Sequence, residues 1–188
     1  SHDGQIVEMA GMIAEKRMCW LKATVKGRGG HGSMPVRGET MARLAEVLRR
    51  LDRRRLPVHI TPAASAMLSG IAAGTGGAIG VILRLLLKPA LTDLLLNVLG
   101  AQLRLFDPLL HNTVSPTMLQ GSDKINVIPG EASIGIDGRL LPGQTPQQLL
   151  AELQSILGDD VVLEVRRSDP GPAEPDMTLF PVLARVLQ

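Results

Sequence analysis

Tyrosine is absent from this chain of 188 residues, which holds only one Trp, two Phe and one Cys. Each scarcity removes a class of function. The single cysteine, Cys19, can form neither an intrachain disulfide nor a thiolate metal site. With 2% aromatic residues there is little to stack on bases. The basic cluster Arg49, Arg50, Arg53, Arg54 and Arg55 is therefore read as the solvated, dipole-compensating end of a helix rather than a nucleic-acid surface. His2, His31, His59 and His111 lie far apart with no partner at i+3 or i+4, which gives no helical metal motif. Gly32-Ser33-Met34-Pro35 lacks the Gly-x-Ser-x-Gly form of a nucleophile elbow. An autonomous hydrolase is not expected. No basic-then-apolar secretory start is visible, and with one cysteine the expected localisation is cytoplasmic.

Long uninterrupted apolar runs are also missing. Residues 56–83 carry no formal charge, but Pro57, Pro62 and five glycines break them, and Arg84, Lys88, Pro89 and Asp93 break the leucine-rich stretch beyond. A membrane span is set aside in favour of a helical insertion over 56–111 with an exposed apolar face, membrane attachment through Ile79 to Leu105 being the weaker alternative.

The remaining sequence has regular periods. An apolar content of 45% supports a real core. Cys19, Leu21, Ala23 and Val25 alternate with Trp20, Lys22, Thr24 and Lys26, as a strand with one buried face requires. Met41, Leu44, Leu48 and Leu51 recur at helical spacing and stop before Pro57. Thr113 to Leu119 reads as a strand, placed at an edge by Pro116. Ala132, Ile134, Ile136, Gly138 and Leu140 alternate with Ser133, Gly135, Asp137 and Arg139. Thr145-Pro146-Gln147-Gln148 is a capping box with proline at the first helical position, and Gly158 ends that helix. Val161, Leu163 and Val165 form a last strand. This order gives an α+β fold: a ferredoxin-like split βαβ two-layer sandwich, a four-stranded antiparallel sheet with two helices on one face, plus the helical insertion. The Pro-rich 169–175 reads as a linker, and Met177–Gln188 as the start of another helix.

Three stretches carry groups suited to holding an oxyanion or a carboxylate. His31 lies in a turn, Gly29-Gly30-His31-Gly32-Ser33-Met34-Pro35, whose glycines let a backbone or ligand approach closely. Asn126 follows Lys124-Ile125, and Arg139 points away from the helix-bearing face. Bland readings stand beside each: a structural histidine in a turn, a turn-stabilising asparagine, and an arginine paired with Asp137.

Together, Gly27-Arg28-Gly29-Gly30-His31-Gly32-Ser33-Met34-Pro35, Gly121-Ser122-Asp123-Lys124-Ile125-Asn126-Val127-Ile128-Pro129 and Asp137-Gly138-Arg139-Leu140-Leu141-Pro142-Gly143 closely resemble the dimerisation, or lid, domain of M20-family zinc peptidases and amidohydrolases, the long insertion being most similar to the carboxypeptidase S-like/aminoacylase-1-like branch. Ser122 stands where that family usually has a second glycine. The resemblance implies a homodimer in which His31 reaches the partner's active site to stabilise the tetrahedral oxyanion, Asn126 supports substrate binding and Arg139 holds the substrate's carboxylate. It implies zinc in a catalytic domain outside this chain, a small N-acyl amino acid or peptide substrate, and an isolated fragment without activity of its own. It also implies boundaries: 1–17 as connector from the catalytic domain, 18–168 as the lid, and 169–188 as linker and return. A stand-alone regulatory or ligand-binding module is the alternative from another class.

Overall fold

A computed structural model describes residues 16–170. The connector expected over 1–17 lies almost wholly outside the described residues, as does the helix expected at 177–188. Six strands and seven helices are described. They are β1 (Arg17–Lys26), β2 (Gly30–His31), α1 (Thr40–Arg53), α2 (Pro62–Thr75), α3 (Gly77–Leu86), α4 (Pro89–Val98), α5 (Gly100–Leu103), α6 (Asp107–Leu110), β3 (Thr113–Gln120), β4 (Val127–Ile128), β5 (Glu131–Leu140), α7 (Pro146–Leu157) and β6 (Val162–Ser168).

The main sheet has the order β3-β5-β1-β6, and every pairing in it is antiparallel. This is the split βαβ arrangement that the sequence predicts. Period-two alternation decides which face is covered: Cys19, Leu21, Ala23 and Val25 of β1 and Ala132, Ile134, Ile136 and Leu140 of β5 share one core with Leu44, Val47 and Leu51 of α1 and Leu149, Leu153 and Leu157 of α7. Burial pushes the Cys19 thiol up from its ordinary pKa, which leaves it packed and unreactive.

Local chemistry sets the element ends. Thr145 caps α7 by accepting from the Gln148 N–H at 3.2 Å while the Gln148 side chain accepts from the Thr145 N–H at 2.7 Å. Gly158 ends the helix at φ 89°, a conformation that disfavours a Cβ. β3 is an edge strand, and its register shifts between Pro116 and Met118, where proline supplies no ladder donor.

The insertion is a second small body with its own core, formed by Ala64, Leu68, Ala72, Leu83, Leu86, Leu96, Leu103 and Leu110. Its first helix, α2, forms in spite of Gly70 and Gly74. Thr61 caps it by accepting the Ala64 N–H at 3.2 Å, and Pro62 begins it. Gly76 and Gly77, at φ 61° and 55°, then reverse the chain into α3. Ile79, Val81, Leu94, Val98 and Leu105 remain exposed, the apolar face expected of this segment. Among the described residues no helix is long and apolar enough to cross a membrane.

Polar contacts fasten the insertion to the sheet-bearing unit. Arg55 is paired with Asp107 at 2.8 Å, His59 Nε2 meets Glu152 Oε1 at 2.6 Å, and the Asn112 amide donates to Glu152 Oε2 at 3.0 Å. Part of the arginine cluster therefore works inside the molecule instead of being only solvated: Arg55 holds the insertion, while Arg49 and Arg50 grip Glu46. Those two guanidinium groups hold the Glu46 carboxyl down to a pKa of about 2.

Candidate functional site

His31 is placed by a very small piece of sheet. The sequence puts it in a turn and Asn126 in a loop; in the structure Gly30–His31 pairs with Val127–Ile128 as an antiparallel ladder, with His31 opposite Val127. The Gly32 N–H donates to the Asn126 carbonyl at 2.8 Å. The glycines around His31 are needed because the two segments come so close. A Cβ on Gly29 would lie 3.0 Å from the Gly130 nitrogen, and one on Gly32 would lie 3.3 Å from the Asn126 oxygen.

Hydrogen bonds then orient the imidazole. Nδ1 lies 2.8 Å from Ser33 Oγ and 3.3 Å from the Ser33 backbone nitrogen. A backbone N–H can only donate, so Nδ1 is the accepting nitrogen and a neutral ring carries its proton on Nε2. Among the described residues Nε2 has no hydrogen-bond partner, and it is left as an outward donor. The tip around it is apolar and exposed: Met34, Ile125 and Val127 all face solvent.

The loop before β4 does not rely on Asn126 for its shape. Ser122 Oγ donates to the Lys124 carbonyl at 3.0 Å and accepts the Lys124 N–H at 3.1 Å. The serine at the position where the family usually has glycine thus ties the turn, and the exposed Asn126 side chain makes no hydrogen bond among the described residues.

Arg139 is elsewhere. It lies on the helix-free face near the end of β5, opposite Met18 of β1 and Thr113 of β3. Glu131, at the His31 end of the same strand, is eight positions back, about 27 Å at the rise of an extended chain. The structure therefore brings His31 and Asn126 together and holds Arg139 away from both. The insertion departs from and returns to the Arg139 end, since Thr113 follows it directly.

The guanidinium is not alone there. Asp137 Oδ2 accepts from Arg139 Nε at 3.2 Å and Nη2 at 3.1 Å, and Asp137 Oδ1 accepts from Trp20 Nε1 at 3.1 Å. The arginine pairing considered from sequence is real. Sequence reasoning missed Trp20, although an indole on the otherwise polar side of β1 was the available signal. A separate cleft of about 730 Å³ lies between the end of α1 and the insertion. It is lined by Arg53, Arg54, Arg55, Asp93 and Asp107 among others and contains none of the three candidate residues.

Among the described residues no group of three or more His, Cys, Asp or Glu side chains could hold a metal ion. The zinc implied by the resemblance has no fitting donor set here.

Comparison with known proteins decides the family. The profile of the peptidase dimerisation domain of M20 enzymes matches residues 13–162. The chain belongs to the M20 peptidase dimerisation domain family. This dimerisation domain is 30% identical to the N-fatty-acyl-amino acid synthase/hydrolase PM20D1 of Xenopus tropicalis, over 92% of the chain and 34% of the relative. It is 26% identical to human PM20D1, over 87% of the chain and 32% of the relative. The chain thus spans about a third of the length of the curated relatives it matches. Among solved structures, the dipeptidase Dug1p of Saccharomyces cerevisiae superposes with a TM-score of 0.47 at 14% identity, covering 83% of this chain and 36% of that one.

Proposed function

We propose that this domain is the self-association and substrate-binding lid of a zinc-dependent M20 hydrolase that cleaves an amide next to a free carboxylate, acting as a homodimer. N-acyl amino acids are the substrate class, in keeping with the names of its PM20D1 relatives. Zinc and the residues holding it would belong to a catalytic domain outside this chain, and the chain alone would be inactive. A single cysteine, which can form no intrachain disulfide, is in keeping with a cytoplasmic parent.

The separation of His31 from Arg139 carries the reading. Arg139 lies eight positions along β5 from the His31 end of that strand, about 27 Å of extended chain and farther than the amide and carboxylate of one small substrate reach, so within one copy the two groups would serve different substrates. In a two-fold dimer, each site can take its carboxylate-binding Arg139 from one copy and its His31 and Asn126 from the other. The exposed apolar tip of Met34, Ile125 and Val127 suits a loop that seats against another surface. Once seated, the Nε2–H of His31 would donate to the amide oxygen as negative charge develops on it, a stabilisation made mainly in the transition state. Asn126, free of duties in its own loop, would donate an amide N–H nearby, and Arg139 would fix the carboxylate end.

Mixed dimers of the full-length enzyme test this. His31→Ala and Arg139→Ala enzymes, each nearly inactive alone, are mixed under conditions that exchange subunits. If the two groups come from different copies, heterodimers contain one intact site and the mixture recovers about a quarter of wild-type activity. If both act within one copy, nothing is recovered and the reading is wrong.

A further inference from the structure

The open face of the sheet holds more than an arginine. Trp20 and Asp137 face each other across the β1–β5 ladder, and the indole Nε1–H donates to Asp137 Oδ1 at 3.1 Å. The other carboxylate oxygen takes two donors from Arg139, Nε and Nη2, at 3.2 and 3.1 Å. Arg167 lies over the opposite side of this unit, its guanidinium carbon 5.3 Å from the Trp20 ring centroid, and is itself 3.5 Å from Asp169. Four side chains from three adjacent strands therefore form one line: Arg167 on Trp20, Trp20 to Asp137, Asp137 to Arg139.

The geometry decides which edge of Arg139 remains available. Guanidinium has five N–H donors, and Asp137 engages the Nε edge. The Nη1/Nη2 edge, which presents two parallel N–H bonds, has no acceptor among the described residues. That edge matches a carboxylate bidentately. An arginine on an open sheet face otherwise samples many rotamers, and its side chain is 46% exposed here. Ordering it beforehand reduces the entropy lost on binding. Asp137 alone could swing. Both its oxygens are occupied, and the ring that fixes Oδ1 is itself held by Arg167.

We infer that Trp20 and Asp137 are positioning residues that set the Arg139 guanidinium for a substrate carboxylate, and that Arg167 clamps the indole in place. The inference rests on the reading of Arg139 as the carboxylate-binding group, and two measurements keep the two claims apart.

The first uses this chain and does not depend on activity: the Nε–H resonance of Arg139 is followed by NMR. The wild-type Nε–H exchanges slowly with solvent and is ordered. In Asp137→Asn it moves to the position and exchange rate of free arginine, and in Trp20→Phe it falls between the two. A wild-type Arg139 that already exchanges like free arginine overturns the inference. The second uses the full-length enzyme with N-dodecanoyl-leucine and its carboxamide, N-dodecanoyl-leucinamide. Asp137→Asn raises KM for the carboxylate substrate about tenfold and Trp20→Phe about threefold, with kcat falling less than KM rises, and discrimination against the carboxamide narrows in both. A lowered KM in Asp137→Asn would make Asp137 a competitor for Arg139 and overturn the inference. If Arg139→Ala leaves KM unchanged, the carboxylate reading fails, and the NMR measurement still decides whether the four side chains act as a unit.

Discussion

Glu152 and His59 meet at 2.6 Å, joining helix α7 to the first residues of the insertion. The other Glu152 oxygen accepts from the Asn112 amide at 3.0 Å, and Asn112 Oδ1 accepts the Leu141 N–H at 2.9 Å. Asn112 is 1% exposed, so water cannot replace a lost partner. Glu152→Ala is expected to destabilise the protein by about 2–3 kcal/mol, the cost of an unpaired buried amide plus a lost charge-assisted bond. Glu152→Gln, which keeps an acceptor for Asn112, should cost less than half as much. Urea unfolding of the two variants checks the order.

Gly138 sits between Asp137 and Arg139 with its missing side chain directed at the helix layer. A Cβ there would fall 2.5 Å from the Cys19 carbonyl oxygen, 2.8 Å from Leu21 Cδ1 and 3.0 Å from Leu149 Cδ2. The first of these is backbone in the paired strand and cannot rotate away. Gly138→Ala is expected to lower stability by about 1–3 kcal/mol through overpacking. A urea midpoint equal to wild type would show that β1 and β5 separate more easily than their continuous ladder suggests.

Much of this fold was legible because its elements bury one face each. The period-two runs of β1 and β5, the Leu149–Leu153–Leu157 stripe with its capping box, and Pro116 on an edge strand each state their environment in the sequence. The β2–β4 ladder was not legible, because two-residue strands have no period. α2 was hidden by Gly70 and Gly74, whose cost is offset by Thr61 capping, Pro62 at the start and burial of Leu68 and Ala72. For the site, motif order grouped His31, Asn126 and Arg139, yet could not show that β5 carries Arg139 away from the other two. That distance follows from strand direction and register, which are tertiary facts. The tie between Trp20 and Asp137 depends on a cross-strand register in the same way.

Edge strand β3 and the start of α1 expose three large apolar side chains, Met41, Met118 and Leu119. Gly121, just past β3, lies so that a Cβ would be 4.0 Å from Met41 Sδ, which brings the end of the edge strand beside the first turn of the helix. If this is where copies associate, Met41→Glu together with Leu119→Lys should abolish it. Neither change opposes the fold: an acidic residue suits a helix N-terminus, and a lysine suits a free edge. Sedimentation velocity across a concentration range is expected to show dimer for the wild type and monomer for the double variant, with unchanged circular dichroism. A double variant that still dimerises would place the interface elsewhere.

The burial of Lys16 sets the sign of a pH response. Its ammonium donates to the His111 carbonyl at 2.7 Å and to Thr113 Oγ1 at 3.2 Å. Burial lowers its pKa from 10.5 to about 8, while the negative charge of Asp107 pulls in the other direction. The unfolded chain keeps this proton until the pH nears 10.5, whereas the folded chain releases it near 8. Between those values the unfolded state binds more protons, so the contribution of Lys16 to stability rises with pH; below the folded value both states are charged and the contribution is flat. Lys16→Met removes this titration and leaves Lys22 and Lys26 as common background. Urea midpoints measured from pH 7 to above pH 10 should therefore show wild type gaining on Lys16→Met only once the pH passes the folded value of about 8. The constant offset from the lost hydrogen bonds to His111 and Thr113 does not alter that slope. Parallel curves over the whole range would mean that Lys16 remains solvated in the folded protein.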